Sequence, residues 1–180
     1  EGEKYGLRLN KTKCELIHLN KRGRIRFRDG TLVPLMSEAK YLGCVINDKG
    51  DPKREVNKRI GDCFVIWKKL ETFWKHSDCT PRQTLIVYNS VVSSKLLYGL
   101  ESVQINDDLK KKLDAFQLKG IRQILKITTT YGQMAAGGDR THTNAFVYRS
   151  AERELNRGNK SGDKHKTLIK LSDYYDIQRR

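Results

Sequence analysis

Two aspartates side by side are a common device for holding a divalent cation, and Asp107-Asp108 is the one such pair in the chain. This pair, however, follows Ile105-Asn106 without a flanking strand and opens a helical pattern. There it serves the free N–H groups and positive dipole end of a first turn. The cysteines stand at 14, 44, 63 and 79, with no CxxC pair and no histidines at finger spacing, so no metal site is expected. Each reads as a reduced, buried thiol of an intracellular protein, nuclear or cytoplasmic being left open. What the chain has in quantity is cationic charge: 36 Lys and Arg against 21 Asp and Glu, a formal net charge of +15. An excess of this size, interleaved with Tyr, Trp and Phe, points to a polyanionic partner, nucleic acid first.

No apolar stretch approaches the roughly 18 to 20 residues a membrane span requires. Glu1-Gly2-Glu3-Lys4 is not the start of a secretion signal, and a first residue other than methionine suggests a piece of a longer polypeptide. The charge marks no boundary, since residues 1–50 carry +5, 51–127 carry +6 and 128–180 carry +4. Periodicity does mark boundaries.

The first fifty residues read as strands and turns. Cys14 to Leu19 alternates imperfectly, Ile25 and Phe27 alternate with Arg24, Arg26 and Arg28, and Asp29-Gly30 makes a hairpin turn into Leu32-Val33. Tyr41 to Ile46 is a further apolar run, closed by Asn47-Asp48-Lys49-Gly50. A small antiparallel sheet is predicted, with an Arg-rich face at 24–28.

Past Gly50 the period becomes helical. Asp51-Pro52 starts a long helix carrying Val56, Ile60, Cys63 or Phe64, Trp67, Leu70 and Trp74 at three- and four-residue steps. Thr80-Pro81 with Gln83 forms a capping box for a second, whose stripe is Leu85, Tyr88, Val91 or Val92 and Leu96, ending near Gly99. A third begins behind Asn106, with Leu109, Leu113, Phe116, Gly120 and Ile124 on one face and Lys110, Lys111, Lys112, Lys119, Arg122 and Lys126 on the other. Residues 128–142 read as a loop, 143–156 as a short helix through Ala145, Tyr148, Ala151 and Leu155, 157–166 as disordered, and 168–177 as a final turn or two of helix. The fold class is therefore α+β: a small antiparallel sheet, then a three-helix bundle and a partly disordered basic tail, with domains at 1–50, 51–127 and 128–180.

In order along the chain, Gly6-Leu7-Arg8-Leu9-Asn10-Lys11-Thr12-Lys13-Cys14-Glu15, Tyr41-Leu42-Gly43 and Leu96-Leu97-Tyr98-Gly99-Leu100-Glu101 resemble the C-terminal part of non-LTR, or LINE-type, retrotransposon reverse transcriptases. The likeness covers roughly residues 5 to 155. It implies that the first stretch is the end of the palm, with Lys13 placed to donate a proton to departing pyrophosphate. Cys14 stands where that family commonly has threonine or serine. Tyr41, Leu42 and Gly43 would then be the primer grip, and the helices of 51–127 the thumb. A thumb lies along a primer–template duplex of RNA and DNA and touches phosphates rather than bases. Lys53, Arg54, Lys58, Arg59, Arg122 and Lys126 are the candidate contacts.

The resemblance also implies what lies elsewhere. Polymerisation in that family needs palm carboxylates, including a YxDD turn, to hold two Mg2+ ions. Those residues would precede Gly6, so the chain itself is expected to hold no cofactor, and its partners would include the fingers and remaining palm of the same polypeptide. Two rival readings stay open: a free-standing basic nucleic-acid-binding module, and a helical protein-interaction module.

Overall fold

Caps and apolar spacing determine where the helices of this α+β chain begin and which way they face. The structure, a computed structural model, describes residues 2–19, 21–41, 43–100, 103–158 and 168–178. Its contacts divide the chain into two units, Glu1–Glu55 and Val56–Arg180.

In the first unit one hairpin carries the regular pairing. Strands β1 (Glu38–Tyr41) and β2 (Cys44–Asn47) are antiparallel, with Glu38 opposite Asn47 and Tyr41 opposite Cys44. Only two residues separate the strands, and Gly43 takes φ of +90°, a left-handed conformation that costs a glycine little. The apolar run from 41 to 46 is therefore divided between the two strands of this hairpin. Leu42 lies outside the described residues.

The other predicted strands do not form. Residues 14–19 and 24–28 contribute one isolated bridge each, Leu16 to Leu35 and Arg26 to Leu32. Alternation alone does not make a strand: Leu19 and Ile25 remain 62% and 54% exposed, so no buried face repays the ordering of the backbone. The Asp29-Gly30 turn does form, with Phe27 N–H donating to Thr31 O at 2.8 Å and Gly30 N–H to Phe27 O at 3.0 Å.

In the second unit the helices close two cores. Helix α1 (Lys53–Lys75) begins where Asp51 Oδ1 accepts from Lys53 N–H at 2.9 Å. Helix α2 (Pro81–Val87) has the predicted capping box at Thr80 and Gln83, passes through a π-helical turn at Tyr88–Ser93 and resumes as α3 (Ser94–Leu97). Helix α4 (Asp107–Leu125) is capped by Asn106, whose side chain accepts from Leu109 N–H at 3.0 Å.

The first core joins Cys63 and Trp67 of α1, Tyr88, Val92 and Leu96, Leu109 and Leu113 of α4, and Leu171 and Tyr175 of α7 (Leu171–Gln178). The second joins Leu85, Ile121 and Leu168 to Val147, Ala151 and Leu155 of α6 (Asn144–Leu155). The ambiguous positions resolve as Cys63 over Phe64 and Val92 over Val91, each preferred residue being fully enclosed and its rival about 40% exposed. The bundle is thus larger than the three helices expected, because α6 and α7 supply walls of both cores.

Two further expectations are corrected. The buried stripe of α4 is Leu109, Leu113, Gln117, Gly120 and Ile121, with Phe116 and Ile124 only half-buried at its margin. Gly120 is required by packing, since a Cβ there would stand 2.6 Å from the Tyr88 ring. Residues 128–142, read as a loop, contain helix α5 (Thr130–Ala135). Side-chain hydrogen bonds hold it rather than an apolar stripe: Thr129 Oγ1 accepts from Gly132 N–H, and Gln133 bonds both Thr141 and His142. The stretch predicted disordered, 157–166, falls outside the described residues from 159 onward. Cys44 and Cys63 are buried and Cys14 and Cys79 half-buried, and none of the four forms a disulfide; burial pushes the Cys63 thiol up to about 11.

Candidate nucleic-acid interface

In the first unit, Lys13 is exposed at the end of a 3-10 turn, Lys11–Lys13, that Asn10 caps by accepting from Thr12 N–H at 3.1 Å. The neighbouring Lys11 is occupied, its Nζ standing 2.5 Å from Asp29 Oδ2. That hydrogen bond, followed by those from Thr31, holds the Asp29 carboxyl well below the usual carboxylate range. Tyr41 is 64% exposed beside the Gly43 turn. Lys53 is exposed, while Arg54 forms an ion pair with Glu38. The sequence reading passed over Lys21 and Arg22, which with Arg24 of the expected Arg-rich face line an open groove beside Leu19, Leu32 and Leu35.

The second unit separates the remaining candidates sharply. Lys58 is exposed and Lys126 is exposed at the C-cap of α4, in a left-handed conformation with φ of +55°. Arg59, expected on the solvated face, is buried and donates to the carbonyl of Tyr98. Arg122 also departs from the expected role. Its Nη1 donates to Thr128 O at 2.6 Å, and its Nη2 donates to His142 O at 2.7 Å and Asn144 Oδ1 at 3.3 Å. Burial pulls its pKa below the ordinary guanidinium value. A guanidinium fork matches carbonyl oxygens as well as phosphates, and in this fold the carbonyls have taken both.

A different set of cations gathers where α1 and α4 run side by side. Lys112 Nζ donates to Asn57 Oδ1 at 2.6 Å, Lys119 Nζ lies 5.5 Å from the Phe64 ring centre, and Trp67 Nε1 donates to Gln123 Oε1 at 3.0 Å. Each pair is offset by 55 or 56 residues in sequence, so the two helices run parallel. Along the seam stands Phe64, 39% exposed, with Lys68 Nζ 5.7 Å from its ring centre on top of the Lys119 contact. The ring quadrupole holds both ammoniums near the surface without neutralising them. Lys68 also donates to Glu71, which with Lys75 keeps that carboxyl below its ordinary value.

Sequence reading placed Lys112 and Lys119 on the polar face of α4 and stopped there. The pairing that turns them into a ridge is a tertiary fact with no local signal. Asp107 and Asp108 lie in the first turn of α4, as their position behind Asn106 suggests, and Asp108 makes a long contact, 3.7 Å, with Lys111. Among the described residues no three His, Cys, Asp or Glu converge as a metal site, and no helix is long and apolar enough to cross a membrane. Comparison with protein-family models, with curated proteins and with solved structures finds no match to the chain.

Proposed function

We propose that this chain is the C-terminal, nucleic-acid-gripping part of an RNA-directed DNA polymerase of the non-LTR retrotransposon kind. It holds a primer–template duplex by its phosphates and does not polymerise alone, because the carboxylates and Mg2+ ions of the reaction belong to other parts of the polypeptide. The order of the three resembling segments supports the family. The observation that carries the grip is the cationic seam of α1 and α4, where Lys68 and Lys119 flank the exposed Phe64 and Lys112 is held farther along at Asn57. Lysine ammoniums on such a ridge neutralise phosphates by releasing counterions, which gives affinity without sequence preference. In this reading Lys13 stands near the leaving pyrophosphate and Tyr41 and Gly43 beside the primer end.

Fluorescence anisotropy of a labelled RNA–DNA primer–template duplex tests it. Binding should weaken linearly in log–log terms with salt, with a slope of about −2 if Lys112 and Lys119 neutralise one phosphate each, Lys68 being ion-paired with Glu71. Exchanging Lys112 and Lys119 for Glu should reduce affinity equally for unrelated sequences. A chain with no affinity at low salt is not a duplex grip, and extension of a primed RNA template by the pure chain would overturn the division of labour.

A further inference from the structure

The motif from Leu96 to Leu100 has so far been given no task, and its surroundings suggest one. Helix α2 opens into the π-helical turn Tyr88–Ser93, a geometry that recurs where a helix must accommodate a ligand. Against it lies a cavity of about 400 Å³, within the range of small-molecule sites. Asn89, Ser93, Ser94, Tyr98, Tyr174 and Gln178 line it over a floor that includes Leu97 and Leu171, and no charged side chain lines it among the described residues. Among the described lining residues a phosphate or carboxylate would find no counter-charge.

The lining separates into groups already satisfied and groups still open. Gln117 is fully engaged: its Nε2 donates to Ile169 O at 3.1 Å, and its Oε1 accepts from Tyr148 OH at 2.8 Å and Leu171 N–H at 3.2 Å. It is a wall. Asn89 is open, since its Oδ1 receives only a 3.5 Å contact from Ser93 Oγ and its Nδ2 donates to no acceptor among the described residues. Tyr98 and Tyr174 stand 71% and 38% exposed at the rim. The backbone at Tyr98 is held from behind, because Gly99 turns the chain at φ of +71° and the buried Arg59 donates to the Tyr98 carbonyl. An exposed aromatic ring on an anchored backbone, an amide with open donors and acceptor, and a lining without charge among the described residues together match a neutral planar heterocycle with polar edges.

We propose that this cavity binds one unpaired nucleobase, with Tyr98 stacking on its face and Asn89 bonding its edge. The inference leans on the nucleic-acid reading for the source of the base, but it is separable from the phosphate grip. Adenosine and uridine carry no phosphate, so titrating each into the full chain by NMR isolates the cavity. Saturable binding that is unchanged by salt is expected, in contrast to the duplex. Tyr98→Ala should weaken it by about tenfold or more, Tyr98→Phe should preserve it, and Asn89→Ala should change the ratio between the two nucleosides. Competition by an oligonucleotide with one unpaired 3′ base would assign the base to a strand end, and failure to compete would assign it to a free nucleoside. Absence of saturable binding by either nucleoside overturns the proposal, as does binding indifferent to both alanine variants. Duplex affinity without nucleoside binding would remove the cavity and leave the grip; the reverse result would do the opposite.

Discussion

Leucine behaves differently in the two units. Leu7, Leu9 and Leu35 of the first are each more than half exposed, while Leu85, Leu96, Leu100 and Leu113 of the second are wholly enclosed. Composition does not separate them; the way each backbone satisfies itself does. A helix closes its hydrogen bonds locally and needs only an apolar stripe and a neighbour. An extended segment needs another strand for its N–H and C=O groups, and among the described residues the first unit supplies regular pairing only over the four register pairs of its hairpin.

The comparison can be broken by substitution. Leu113→Ala should cost about 2 to 5 kcal/mol of the second unit's stability, whereas Leu7→Ala and Leu9→Ala should each stay within about 0.5 kcal/mol. Urea denaturation followed by circular dichroism measures all three, and equal losses would dissolve the distinction. Gly120→Ala should cost about 1 to 3 kcal/mol through overpacking. Because Cε2 and Cζ as well as the hydroxyl of Tyr88 lie 2.6 Å from the added carbon, Tyr88→Phe should not rescue it, while a smaller Tyr88→Leu should recover part of the loss.

The smallest effects concern pH and carry opposite signs in the two units. Asp29 has its folded pKa lowered by the Lys11 hydrogen bond, so its contribution is present above the ordinary carboxylate range and fades as pH falls below it toward the folded pKa. Lys110 has its pKa raised, chiefly by the hydrogen bond to Asp176 of α7. Its contribution is complete below the ordinary lysine value and is lost as pH rises through the folded one. NMR titration of the Asp29 carboxyl and the Lys110 ammonium should find both displaced in these directions, and Lys11→Ala and Asp176→Asn should return each toward its usual value.

The sequence was most legible where a rule is local. The box at Thr80 and Gln83, the Asn106 cap and the Asp29-Gly30 turn each involve residues within a few positions, and each formed. Arg59 and Arg122 misled for the opposite reason: exposed and buried arginines look alike until a carbonyl from a distant segment, Tyr98 or His142, is brought to them. Gln117 hid in the same way, being a polar residue that occupies a core position because Ile169, Leu171 and Tyr148 satisfy it. The seam between α1 and α4 depends on a register that no single helix records.

The π-helical turn also lets one rod change sides. Before it, Leu85 belongs to the core that α6 closes; from Tyr88 onward, Val92 and Leu96 belong to the core that α7 closes. The widened turn works like a twist spliced into a cable, redirecting everything downstream without interrupting it. Deleting a single amino acid there would swing the later anchors by about 100° and leave them pointing at the wrong wall, so length at this place is as constrained as chemistry.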